Sequence, residues 1–274
     1  MTAPPKVVLI TGAAGSIGTV LREGLRGRYP VVRVTDRAAL GPAQPGEEVM
    51  EGLDLADLAG LEAAMKDVDA VVHLAGTPVE QPWEPILANN IIGLHNTYEA
   101  ARRQGVKRIV FASSNHTIGF HPRGRHIDET VPPRPDGRYG VSKVFGEAMG
   151  RLYADKHGME IINLRIGSFQ PKPKNVRMLN TWLSHRDCVH LVDVCLRAAG
   201  IHFEIIYGVS ANSRNKWHDS LAARIGYRPQ DNAEEYAAEI LAAMQPEDEP
   251  LTERMFHGGE YCAMEFDGDL AKIG

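Results

Sequence analysis

The chain has 274 residues, 43% apolar and 24% charged, the make-up of an ordinary globular protein, which excludes a disordered or fibrous chain. The net charge of -5 is spread without a basic stripe, so nucleic acid and anionic membrane are excluded as expected partners in favour of a small molecule. Cys188, Cys195 and Cys262 have no CxxC spacing and encode neither a disulfide framework nor a zinc site, and His185 and His190 lack an HExxH context, so no metal is expected. With no long apolar stretch near Met1 and no run of roughly 18 apolar residues, a cytoplasmic location is expected.

Residues 6–10 (Lys-Val-Val-Leu-Ile) form a short β-branched apolar run, the pattern of a strand buried on both faces of a parallel sheet. A glycine turn follows, and helical spacing resumes at 19–25. Further strands are predicted at 31–35, 70–74, 108–112 and 160–165, with helices at 58–66, 84–104 and 142–157 between them. This alternation predicts an α/β fold, a Rossmann-type doubly wound parallel sheet. After Gly167 the sequence is loop-rich, with Pro171, Pro173 and Asn175, then a helix at 189–199, a strand at 203–208 and helices at 217–225 and 233–244. The expected division is a dinucleotide-binding domain at 1–166 and a small substrate-binding portion at 167–274 that does not fold independently. The acidic stretch 246–250 reads as a solvated loop.

Gly12-x-x-Gly15-x-x-Gly18 lies between the first strand and helix, where missing side chains let the chain turn sharply, admit a pyrophosphate and pack the helix on the sheet. Ser16 and Ile17 complete this helix N-terminus, a source of amide donors and positive dipole. Asp36 ends the second strand, 18 residues beyond Gly18, where a carboxylate accepts from ribose hydroxyls and repels a 2′-phosphate. NAD is therefore expected over NADP. Arg37 is ambiguous: it could welcome the extra phosphate, stack on adenine or stay solvated.

Tyr139-Gly140-Val141-Ser142-Lys143 opens a predicted helix, and residues four apart share a face, bringing phenol and ammonium together. A nearby cation favours the phenolate and so suits Tyr139 as a base tuned by Lys143. Alone the pair could equally be a surface contact. Ser113 and Ser114, however, follow the strand at 108–112 and stand at the carboxyl edge of the sheet, where open α/β folds bind ligands.

The glycine spacing, Asp36, Ser114 and Tyr139-x-x-x-Lys143, in this order over about the first 165 residues, resemble the extended short-chain dehydrogenase/reductase family. The resemblance implies that Asp54-Leu55 contacts adenine, that Leu74-Ala75-Gly76 and Ile166 lie along the cofactor, that Ser114 holds the reacting oxygen, and that Asn90 supports a proton-relay water. Asn90 could instead simply pack within its helix.

Several stretches resemble the uronate dehydrogenases within that family: Gly76-Thr77-Pro78-Val79-Glu80, 111–119, 134–143 and 175–185. This resemblance implies oxidation of a free hexuronic acid, glucuronate or galacturonate, at C1 to the aldarolactone with NAD. It places Thr77, Ser114, Asn115, His116, Tyr139 and Ser168 around the sugar and Arg177 on its carboxylate, in keeping with the fit of a planar guanidinium to a carboxylate. By analogy the protein is expected to be a homo-oligomer. The alternatives are a sugar-nucleotide epimerase or other sugar dehydrogenase, which the short C-terminal portion disfavours, and a non-enzymatic NAD-sensing regulator, which would not need the Ser114, Tyr139 and Lys143 set.

Overall fold

In the computed structural model, which describes residues 4–218, 220–244 and 249–273, the β-branched runs meet in one sheet. Its strands are β1 (Val7–Thr11), β2 (Val31–Asp36), β3 (Glu47–Glu51), β4 (Ala70–His73), β5 (Arg108–Ser114), β6 (Glu160–Ile166) and β9 (Phe203–Gly208), in the order β3-β2-β1-β4-β5-β6-β9. Every pairing is parallel. The chain winds outward from β1 to β3 and then returns to β4 on the other side of β1. This reversal is the switch point at which a doubly wound sheet opens a crevice at its carboxyl edge.

Alternation along each strand separates two cores. Val8, Ile10, Val32, Val34, Val72, Val110 and Leu164 face α1 (Ser16–Gly24) and α7 (His185–Arg197). Leu9, Val71, Ile109, Phe111 and Ile161 face α2 (Leu58–Ala64), α4 (Gly93–Arg103) and α5 (Arg138–His157). Successive strand residues point to opposite faces, so a run apolar at every position is what a sheet covered on both sides requires.

The remaining elements crowd the carboxyl edge or its flank. α3 (Trp83–Ile86) precedes a π-helical turn at Leu87–Ile92, a 3-10 turn at Asn115–Ile118 follows β5, and β7 (Ser168–Phe169) pairs with β8 (Trp182–Leu183) across α6 (Met178–Thr181). α8 (Ser220–Arg224), α9 (Ala237–Ala243), α10 (Leu251–Met255) and α11 (Glu260–Ala263) complete the chain. Although β9 and α7 belong to residues 167–274, they extend and cover the main sheet. Among the described residues no helix is long and apolar enough to cross a membrane.

Several elements differ from expectation for identifiable reasons. β3, Glu-Glu-Val-Met-Glu, ends the sheet with no residue fully buried and so lacks the buried apolar run that marks the other strands. The expected helix at 84–104 contains the π turn, which sets Asn89 and Asn90 against Thr77. The helix expected from 142 begins at Arg138, where a distant carboxylate supplies the cap. The helix expected from 189 begins at His185 because Ser184 accepts from the Asp187 amide. Trp217 bridges to Ile127 and leaves only a short α8, and the segment from 233 starts as a 3-10 turn, Ala233–Tyr236. Residues 246–248 of the acidic stretch lie outside the described residues.

One ion pair lies inside the sheet–helix layer. Arg165 on β6 is 2% exposed, and its Nε and Nη2 reach the two Glu147 oxygens on α5 at 3.0 and 2.9 Å. The Ser113 hydroxyl also donates to Glu147, at 2.6 Å. Removing one partner strands a buried charge, so Arg165→Met should lower the unfolding free energy in urea by about 3–5 kcal/mol, whereas Arg165→Met with Glu147→Leu should recover much of it. Losses that simply add, the double variant being destabilised by the sum of Arg165→Met and Glu147→Leu, would show that the pair is not coupled.

Candidate active site

The strand ends of β1, β2, β5 and β6 border a cleft of about 640 Å³. One wing is the glycine turn. Gly12 has φ +73°, and a Cβ there would lie 2.6 Å from the Ala75 nitrogen, while a Cβ on Gly18 would lie 2.4 Å from the Gly12 carbonyl oxygen. The turn is therefore pressed between α1 and the segment after β4, and only glycine fits. α1 starts after Gly15 with no side-chain cap and no acid in its first turn, leaving its leading amides for an outside acceptor. Asp36 Oδ2 accepts from the Ala14 amide at 3.0 Å, and Oδ1 accepts from Ala38 at 2.9 Å, fixing the carboxylate over the turn; exposed Arg37 follows it. Ser16, Ile17, Asp54, Leu55, Leu74, Ala75, Gly76 and Ile166 line the same cavity. A glycine cradle, free amides and an orienting carboxylate together fit an adenine dinucleotide.

The opposite wing carries the titratable groups. Ser114 ends β5, and its Oγ accepts from the His116 amide at 3.2 Å. Alternation turns Ser113 to the Glu147 pair, so Ser114 is the serine that lines the cleft beside the Tyr139 phenol. Tyr139 and Lys143 share a face of α5, with the ammonium 5.5 Å from the phenol ring centroid and donating to the Ala112 carbonyl at 2.8 Å. Burial holds the Tyr139 phenol above its ordinary pKa, an effect that Ser114 opposes. Burial pushes Lys143 down to about 8. In this state the tyrosine is set mainly by desolvation and Ser114, with the lysine anchored to the strand beside it.

The chain's own N-cap for α5 is Gly137, which has no side chain to offer. Glu80 takes the role from 58 residues away, Oε1 accepting from the Arg138 amide at 3.0 Å and Oε2 from the Tyr139 amide at 2.8 Å. Sequence analysis gave Glu80 no role.

At the floor, Arg177 is half-buried and committed in three directions. Its Nε donates to the His257 carbonyl at 2.7 Å and its Nη1 to Ser168 Oγ at 3.2 Å. With the Asn115 amide oriented to its partners, Arg177 Nη2 donates to Asn115 Oδ1 at 2.6 Å while Asn115 Nδ2 donates to the Ile166 carbonyl at 3.0 Å. Burial pulls its pKa down, with neighbouring Arg123 adding to the effect. Two N–H groups of the fork remain for a ligand. Ser168 is further tied to Thr181 Oγ1 at 2.9 Å, and the Thr77 hydroxyl donates to the Pro85 carbonyl at 3.2 Å.

The residues expected at the site line one cavity, with Asn90 the exception. Its Oδ1 accepts from the Thr77 amide at 2.7 Å, and its Nδ2 donates to the Thr77 carbonyl and Ser142 Oγ at 3.0 and 2.9 Å. Asn90 therefore buttresses the wall from behind. Glu260 and Tyr261 on α11 also line the cleft, with the Tyr261 ring stacked on His116 at 3.9 Å between centroids. No local pattern in Glu260-Tyr261-Cys262 distinguished them. Among the described residues no cluster of three or more His, Cys, Asp or Glu side chains is arranged for a metal ion.

Replacing Glu80 with Ala should cost about 1 kcal/mol of stability through the lost cap, measured by urea denaturation. An unchanged midpoint would show that the cap carries no weight.

The profile of the NAD dependent epimerase/dehydratase family matches residues 8–185. A uronate dehydrogenase of Agrobacterium fabrum is 46% identical, the match covering 93% of this chain and 96% of that protein. A uronate dehydrogenase of Pseudomonas putida is 44% identical over 95% of this chain and 97% of its own length. Among solved structures, a tyrosine-to-alanine variant of Agrobacterium tumefaciens uronate dehydrogenase complexed with NAD superposes with a TM-score of 0.90 at 45% identity, covering 94% of this chain and 97% of that one. The chain belongs to the NAD dependent epimerase/dehydratase family and groups within it with the uronate dehydrogenases.

Proposed function

We propose that the protein oxidises a free hexuronic acid, glucuronate or galacturonate, at C1 to the aldarolactone, with NAD as acceptor. The observation that carries this reading is the tethered guanidinium of Arg177 in the same cleft as Ser114 and Tyr139. A half-buried, tethered fork offering two N–H groups suits a substrate carboxylate and is wasted on a neutral sugar. Likeness in sequence and structure to proteins named uronate dehydrogenase supports the same substrate.

Bound between the glycine turn and β5, NAD supplies a two-electron acceptor for the hydride leaving C1. Residues of the chain do the rest. Arg177 anchors the carboxylate, and Asn115, His116, Ser168 and Thr77 border the ring. Ser114 holds the C1 oxygen, and Tyr139 takes the hydroxyl proton as the C1–H electron pair departs, leaving the lactone carbonyl. Lys143, as an ammonium, favours the phenolate electrostatically. Asn90 serves by fixing Thr77. The portion after residue 166 supplies Ser168 and Arg177 to the site while its β9 and α7 stay part of the main sheet's layers. Asp36 disfavours a 2′-phosphate, making NADP the poorer cofactor. Three buried free cysteines support a reducing cytoplasmic setting, and exposed Val141 and Leu152, three turns apart on α5, support self-association.

Purified protein given galacturonate or glucuronate and NAD should form NADH; no absorbance change with either acid would refute the assignment. Tyr139→Phe should lower kcat by about 10²–10⁴-fold and leave NADH affinity unchanged, whereas full turnover would remove Tyr139 as the base. The pH dependence follows from the two shifts. Since burial holds the phenol protonated at neutral pH, kcat/KM should rise from pH 6, and since Lys143 loses its charge near 8, the rise should bend over above that pH. A flat profile from pH 6 to 9 would contradict this pairing.

A further inference from the structure

Beside the cleft lies a carboxylate that none of the assigned roles explains. The Asp136 side chain is fully buried, its Oδ2 stands 2.7 Å from His116 Nδ1, and its Oδ1 has no hydrogen-bond partner among the described residues. The surroundings are shaped to hold it. A Cβ on Gly119 or on Gly258 would fall 1.9 Å from Oδ2, and the Cys262 thiol lies 4.0 Å from the same oxygen. Two segments far apart in the chain, 116–119 and 258–262, thus close around one carboxylate oxygen. A buried carboxylate whose Oδ2 has only the imidazole and a weak thiol donor is costly unless a partner repays it, and the groups that attract it are His116 and, at longer range, Arg177.

The imidazole is fixed on its other sides as well. One face stacks on Tyr261, 3.9 Å between centroids at 17°, and the ring meets Tyr139 edge-on at 5.8 Å. With Nδ1 turned to Asp136, the far edge of the ring, carrying Nε2, is left for the cleft that His116 lines.

We propose that Asp136 is a positioning residue that holds His116 as its Nδ1–H tautomer, so that the Nε2 lone pair accepts a hydrogen bond from a ring hydroxyl of the sugar beside Tyr139. Opposite a carboxylate acceptor, a neutral imidazole carries its proton on Nδ1, and its Nε2 is then the lone-pair acceptor. The site then asks its substrate for a hydroxyl donor at that point. This role rests on the sugar-oxidising reading above.

Two measurements separate the proposals. In the unaltered protein, long-range 1H–15N correlation spectra, assigned by comparison with His116→Ala, should show Nδ1 of His116 protonated and Nε2 bare; an Nε2–H tautomer overturns the role of Asp136 whatever the enzyme's activity. In a double-mutant cycle on galacturonate oxidation, Asp136→Asn and His116→Ala should each lower kcat/KM by about tenfold to a hundredfold with NAD KM unchanged, and the double variant should be no worse than His116→Ala. Additive losses, or an Asp136→Asn enzyme with unaltered kcat/KM, would reduce Asp136 to a packing role while leaving the uronate reading intact. A wild-type enzyme inactive on uronates would remove that reading, and with it the sugar hydroxyl as the partner of Nε2.

Discussion

Because all seven strands of the sheet run parallel, their carboxyl ends share one edge, and groups far apart in the chain are delivered to one place. Asp36, Ser114 and Ile166 each end a strand of this edge and line the same cleft. The reversal of winding between β1 and β4 opens the crevice into which the glycine turn and the serine both look. Core packing enforces this arrangement, since apolar residues on both faces leave no register shift that would not bury a polar edge or expose a core residue.

Within the cleft, burial does chemical work on each charged group. It raises the Tyr139 phenol, lowers the Lys143 ammonium to about 8 and lowers the Arg177 guanidinium. The two cations are retained because hydrogen bonds to fixed partners offset the lost water: the Ala112 carbonyl for the lysine, and His257, Ser168 and Asn115 for the arginine. The same partners set geometry. Arg177 in particular links the ends of β5 and β6 to the C-terminal segment, so the anchor proposed for a substrate anion is held in place by the protein's own contacts.

Sequence disclosed the parts whose cause is local. Buried strands announce themselves by unbroken apolar runs, the glycine turn by its spacing, and the Tyr139–Lys143 pair by helical periodicity. What stayed hidden depends on contacts across long separations. Glu80 caps α5 from 58 residues away, and Asp136 meets Cys262 from 126 residues away. Tyr261 reaches His116 only through the fold. β3 was missed because a strand exposed along its length needs no continuous apolar pattern, and the π turn that aims Asn90 at Thr77 left no sign in the helical spacing. The carboxylate-binding role of Arg177 came from resemblance alone, and its tethering is visible only in three dimensions.

The central claim is that a pre-tethered guanidinium selects a free sugar acid at the edge of an NAD-binding sheet. It is tested most directly by comparing kcat/KM for galacturonate and for galactose, which differ by the carboxylate, in the native protein and in Arg177→Met. The native enzyme should prefer the acid on the order of a hundredfold or more, and the substitution should abolish most of that preference while sparing NADH affinity. Equal rates on the two sugars, or a preference that survives the loss of Arg177, would contradict the account.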